Sequence, residues 1–205
     1  MTWPKGDKYE GEWKNGIQEG NGNYFWANGD KYEGQWKGGK KHGKGRMIWA
    51  NGEKYEGYWN QGHIEGKGRM IWNDGGKYEG ELKGLSKEGK GIYYSPNGDK
   101  FQGSWKDNKK DGKGIMNWAT GDKYIGNWKN GQIDGSGIMV WKNGDKYSGS
   151  WKEGKQNGKG KMKWDKGEKY LGDWKDGKRN GKGIYKPKDG KKQRGKFENN
   201  KFIGK

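Results

Sequence analysis

The sequence predicts an all-β chain. Tandem β-hairpins of 23 residues pair edge to edge into one elongated, twisted, single-layer antiparallel sheet. Three observations carry this reading. Tyr9, Tyr32, Tyr55, Tyr78, Phe101, Tyr124, Tyr147 and Tyr170 stand 23 residues apart without insertion or deletion. A strict period of this length marks small units that bury their apolar face only against their neighbours. Two residues after each aromatic comes a glycine, from Gly11 to Gly172, and Gly195 continues the column after Gln193. Four residues after it comes Trp13, Trp36, Trp59, Trp105, Trp128, Trp151 or Trp174, with Leu82 as the internal substitute and Phe197 closing the series.

Within one unit the elements follow in order. Tyr32-Glu33-Gly34-Gln35-Trp36 alternates with period two and reads as a first strand, with Tyr32, Gly34 and Trp36 on one face. A Lys/Gly loop follows. Gly43-Lys44-Gly45-Arg46-Met47-Ile48-Trp49 is the second strand, with Gly43, Gly45, Met47 and Trp49 on the same face. Asn51-Gly52, like Asn28-Gly29, Asn97-Gly98 and Asn143-Gly144, supplies the positive φ of a tight turn into the next unit. Parity sets the expected register. Trp36 faces Gly43, Gly34 faces Gly45 and Tyr32 faces Met47; across the next turn Trp49 faces Tyr55, Met47 faces Gly57 and Gly45 faces Trp59. Glycine weakens a strand interior, so its recurrence suggests aromatic rings lying across bare backbone. Sixteen or so strands at ~4.8 Å spacing make an array on the order of 80 Å long.

Composition alone points elsewhere. Leu, Ile, Val and Phe make up only 19 of 205 residues, the formal net charge is +18 and the mean hydropathy is -1.56, values that resemble a disordered chain. Fourteen Trp and twelve Tyr overrule this, because each buried ring contributes roughly 150–250 Å². The absence of Cys excludes a disulfide scaffold and thiolate metal sites and fits a cytoplasmic or nuclear setting. The N-terminus lacks an apolar signal core, and no stretch approaches the ~18 apolar residues of a membrane span.

Tyr-Glu-Gly-Glu-Trp-Lys-Asn-Gly (9–16), with its Gly-Lys-Gly and Trp-x-x-Gly-Asp-Lys continuation, closely resembles the MORN (membrane occupation and recognition nexus) repeat. The resemblance covers a single array over residues 1–205: eight full repeats from about 9 to 192, with partial capping units at 1–8 and 193–205. The fourth unit departs most, with Leu82 for Trp, Leu85 and Ser86 in the loop, and Ser95-Pro96 for the second Trp. A local change of twist or bend between 78 and 100 is one expectation there, and neutral drift the other. The resemblance implies a non-enzymatic scaffold in a cytoskeletal or ciliary and flagellar assembly, sometimes dimeric.

No catalytic constellation, cofactor site or metal site is expected. His42 and His63 fall in the expected hairpin loops, and Asp30, Glu53, Asp99, Asp122, Asp145 and Glu168 share one turn column, which turn chemistry explains. Gly158-Lys159-Gly160-Lys161 lacks the strand-to-helix context of a phosphate loop.

The first functional expectation is a partner peptide or helix docked in an aromatic groove formed by Tyr32, Trp36, Met47, Trp49, Tyr55, Trp59, Met70, Trp72, Trp105, Trp118, Tyr124 and Trp128. The bland alternative is that individual rings are consumed in stacking. The second is a peripheral adaptor on an anionic membrane surface. Residues 1–100 hold 17 Lys/Arg against 14 Asp/Glu, a net of +3, and residues 101–205 hold 27 against 12, a net of +15. Lys159, Lys161, Lys163, Lys182 and Lys186 are the expected anion-binding residues, unless lysine serves only to keep a sheet from aggregating. Nucleic acid is disfavoured, since no recognition helix or RNA-binding signature is present. A second apolar patch is expected on the polar face, with Ile125 opposite Ile138 and Ile115 and Val140 nearby. It marks either a homodimer or partner contact or plain β-propensity.

Overall fold

The computed structural model describes residues 1–205 and contains eighteen β-strands and no helix. In chain order these are β1 (Lys8–Lys14), β2 (Ile17–Phe25), β3 (Lys31–Lys37), β4 (Lys40–Ile48), β5 (Lys54–Asn60), β6 (His63–Ile71), β7 (Lys77–Lys83), β8 (Ser86–Tyr94) and β9 (Lys100–Lys106). There follow β10 (Lys109–Asn117), β11 (Lys123–Lys129), β12 (Gln132–Val140), β13 (Lys146–Lys152), β14 (Lys155–Lys163), β15 (Lys169–Lys175), β16 (Lys178–Lys186), β17 (Gln193–Glu198) and β18 (Lys201–Gly204). They form one eighteen-stranded sheet of tandem hairpins. The chain divides into two compact units, Met1–Asn97 with Trp105–Asn108, and Gly98–Ser104 with Lys109–Lys205. In the first, β1 to β8 pair in sequence order. In the second, β10 to β18 do the same. Every one of these pairings is antiparallel. His42 and His63 lie in β4 and β6, not in loops.

The observed register differs from the parity reading by two residues at two places. Tyr32 opposes Met47 and Gly34 opposes Gly45, as expected, but Trp36 opposes Lys41 and not Gly43. A bulge absorbs the difference: one residue separates Gly34 from Trp36, against three on β4. Gly43 takes φ 62 within it, a conformation open to glycine without a Cβ penalty. Across the next turn Met47 opposes Tyr55, Gly45 opposes Gly57 and Gly43 opposes Trp59. Trp49 therefore does not face Tyr55. Its N–H donates to the Glu53 carbonyl at 3.0 Å, and the Gly52 N–H donates to the Trp49 carbonyl at 2.9 Å. Trp49 closes the turn, and pairing begins at Ile48–Lys54.

The tight turn expected at the Asn-Gly column is present, with positive φ at its glycine, and the Lys/Gly loops within the hairpins are two-residue turns. Asn15-Gly16, Asn130-Gly131 and Asp176-Gly177 have positive φ at both positions, the type I′ signature that matches strand twist. In the Asn28-Gly29 column only the glycine has positive φ; the asparagine side chain instead accepts the Asp30 N–H at 3.0 Å. In the fourth hairpin Gly84 alone has positive φ before Leu85, which fits a type II′ turn. Turn carboxylates link successive units. Asp30 accepts the Ala50 N–H at 2.8 Å, and Asp99, Asp122 and Asp145 accept from Ala119, Lys142 and Asp165. On the opposite edge Glu19 accepts from Gly38 and Asp111 from Asn130.

The core is a single tier of rings over glycine backbone. Tyr9, Tyr32, Tyr55, Tyr78, Tyr124, Tyr147 and Tyr170 are fully buried. Each lies over a glycine pair, such as Gly34 and Gly45 beneath Tyr32, where a Cβ on Gly45 would collide with the Tyr32 hydroxyl and ring. The Tyr32 hydroxyl donates to the Gln35 carbonyl at 2.9 Å. Trp36 stands edge-on between Tyr9 and Tyr32, at 5.4 and 5.2 Å, and its Nε1–H donates to the Gly22 carbonyl at 3.1 Å. The second unit continues the alternation from Phe101 through Trp128, Tyr124, Trp151, Tyr147, Trp174 and Tyr170 to Phe197. Edge-to-face pairs add about 0.5–1.5 kcal/mol each beyond area burial.

Candidate functional site

The residues of the aromatic face separate into two tiers by burial. Tyr32, Trp36, Met47, Tyr55, Trp59, Met70, Trp105, Tyr124 and Trp128 are buried within the chain, where their strands and glycine neighbours hold them. Trp49, Trp72 and Trp118 are half-buried. These three belong to a second ring column, with Trp26, Trp141 and Trp164, at the residue that closes each inter-hairpin turn. The turn pins the backbone while the indole lies beside the buried tier. Among the twelve residues of the expected groove, ring surface open to a partner therefore lies on Trp49, Trp72 and Trp118; outside that set Trp13 is 39% exposed.

A column of cations beside these rings was not legible as such. Gln18, Lys41, Ile64, Lys87, Lys110, Ile133, Gln156 and Arg179 recur at 23 residues, and within each compact unit the bulge places Gln18, Lys41, Ile64, Lys87, Ile133, Gln156 and Arg179 opposite the Trp or Leu of the preceding strand. Lys41 Nζ lies 4.3, 5.4 and 5.7 Å from the ring centroids of Trp59, Trp26 and Tyr32. Lys87 Nζ lies 4.9, 5.0 and 5.3 Å from Trp72, Tyr93 and Trp105. In the second unit Lys110 Nζ is 4.7 Å from Trp128 and 5.3 Å from Phe101. The Arg179 guanidinium is 4.8 Å from Tyr185 and 5.8 Å from Trp164. Ring quadrupoles attract these charges. Desolvation nevertheless pulls the Lys41, Lys87 and Lys110 ammonium groups below the usual lysine range, with Asp30 and Asp99 partly opposing it for Lys41 and Lys110. Burial pushes the Tyr55, Tyr124 and Tyr170 hydroxyls up to about 12, so they remain neutral donors.

In the second unit this face holds a groove of about 660 Å³. Trp141, Trp164, Met162 and Trp174 line it with Arg179, Asp122 and Asp145. Apolar walls with a few convergent charges suit a peptide or an amphipathic segment.

The opposite face carries the other expected residues. Lys159 and Lys182 join Arg194, Lys196 and Lys205 around a hollow of about 780 Å³ whose apolar wall is Leu171 and Ile184. Lys159 pairs with Asp173 at 2.5 Å. Lys161, Lys163 and Lys186 lie outside the hollow; Lys163 and Lys186 both flank Lys169. Ile115, Ile125 and Ile138 form one cross-strand row, with Ile125 paired to both of the others and 44% exposed. Val140 stands opposite Lys123, beyond that row.

The model of the MORN repeat matches residues 9–31, 32–54, 55–77, 78–100, 101–123, 124–146, 147–169 and 170–192. No curated protein matches the chain. Among solved structures, the G-box domain of the microcephaly protein CPAP is similar in fold, with a TM-score of 0.52 and 12% identity over 84% of this chain and 90% of that one. The SAS-4 (dCPAP) TCP domain of Drosophila melanogaster, solved with a proline-rich motif of Ana2 (dSTIL), has a TM-score of 0.47 and 16% identity over 74% of this chain and 83% of that one.

Proposed function

The chain belongs to the MORN repeat family, and from that membership together with its accessible ring column we propose that it is a non-enzymatic scaffold. It docks a partner polypeptide across the aromatic face, within a cytoskeletal or ciliary assembly. The observation that carries this reading is the second Trp column: one half-buried indole per regular hairpin, held by the turn and spent neither on the buried tier nor on a second layer of protein. Aromatic anchors of this kind dominate binding hot spots. The test is capture from the source cells with wild type and with the combined variant Trp49→Ser, Trp72→Ser, Trp141→Ser, Trp164→Ser. Partners retained by wild type at moderate salt should bind the variant about tenfold or more weakly. Equal recovery by a folded variant would overturn the reading.

A second reading, a peripheral adaptor on anionic phospholipid, is favoured by the cation-ringed hollow of the opposite face. Sedimentation with phosphatidylserine vesicles tests it. Binding should fall steeply with salt and be lost in Lys159→Glu, Lys182→Glu, Arg194→Glu; a reversal that leaves sedimentation unchanged removes this reading.

A further inference from the structure

The cation column differs from every other column on the aromatic face. Its neighbours repeat nearly the same ring or glycine in unit after unit, because each stacks on the next. This position instead reads Gln, Lys, Ile, Lys, Lys, Ile, Gln, Arg along the chain. Packing does not demand a charge here, since Ile64 and Ile133 occupy the same place and are buried. Where a charge is present it is incompletely compensated. Lys41, Lys87, Lys110 and Arg179 are each half-buried against rings, and none forms an ion pair with a carboxylate, although the Arg179 guanidinium donates to the Asn200 carbonyl at 2.7 Å. Asp30, the acid whose charge acts on Lys41, accepts from the Ala50 N–H and the Asn28 side-chain amide. A half-desolvated ammonium that keeps an open side gains most from a carboxylate brought by a ligand, because a charge-assisted bond there is less screened than on an open surface.

We propose that this column selects an acidic peptide. Carboxylates of the docked segment pair with Lys41 and Lys87 in the first unit, while its apolar side chains rest on Trp49 and Trp72. The inference rests on the scaffold reading above and adds the partner's chemistry and spacing. Lys41 and Lys87 are two repeats apart, which is four strand spacings, or ~19 Å. An extended segment crossing the strands covers that distance in about six residues. Ile64 lies midway, so the first unit fits an acidic residue, an apolar residue about three positions on, and a second acidic residue about six positions on.

The probes are fluorescein-labelled synthetic peptides of twelve residues, with glutamates six apart and a leucine midway. Control peptides carry Gln, or Lys, in place of the two glutamates. Polarisation is followed against the full chain and against Lys41→Met with Lys87→Met, which keeps the aliphatic packing on the rings and removes only the charge. The glutamate peptide should bind wild type about tenfold or more tightly than either control, and the methionine variant should abolish that preference. Equal binding of the Glu and Gln peptides, lost in Trp49→Ser with Trp72→Ser, overturns charge selection and leaves the groove reading in place. Binding of none of the three peptides overturns both. Urea midpoints of the variants show that each is folded.

Discussion

Truncating Tyr147 to alanine is expected to destabilise the second unit by about 4 kcal/mol, in the range of large-to-small changes at buried aromatic sites. The side chain is fully buried, stands edge-on to Trp151 at 5.0 Å and Trp174 at 5.3 Å, and covers the bare backbone of Gly149 and Gly160. A sheet with one tier of rings has no second layer to collapse into the space. Tyr147→Phe provides the contrast. It loses only the bond from the hydroxyl to the Ser150 carbonyl, 3.0 Å long, and should cost about 1 kcal/mol. Phe101 already fills the same column and is 1% exposed. Urea denaturation separates the outcomes: similar midpoints for the two variants would show that the ring, and not merely its volume in one tier, is dispensable.

Gly45→Ala is expected to cost about 3 kcal/mol, a large value for one methyl group, because overpacking against a fixed ring forces a backbone shift. The added Cβ would meet the Tyr32 hydroxyl and ring, and that ring cannot move without breaking its edge-to-face contacts with Trp36 and Trp59. Gly52→Ala makes the same chemical change where no atom lies within 4 Å of the new Cβ and φ is +90. Only backbone strain remains there, roughly 1–2 kcal/mol. Denaturation midpoints that place the two variants level would mean that conformational freedom, and not the space under the tyrosine, maintains the glycine pairs.

Period, strand type and the pairing of Gly34 with Gly45 and of Tyr32 with Met47 were determined by the sequence alone, because a 23-residue repeat of aromatic and glycine columns in period-two runs admits few other arrangements. Tertiary structure decided which residues oppose one another beyond those pairs. A slip of two residues preserves side-chain parity, so the apolar pattern reads the same whether Trp36 faces Gly43 or Lys41. The choice is made by interstrand hydrogen bonds and by the positive φ of Gly43, neither of which leaves a mark in the alternation. That same bulge brings Lys41 onto Trp59, so a residue that reads as solvated loop lysine becomes a ring-caged cation. Burial followed the same logic. Tyr32, Trp36 and Trp49 are alike as apolar rings in a sequence, yet the first two are sealed by neighbouring strands while the third, held at a turn by its own backbone bond to Glu53, keeps the face it can offer to a partner.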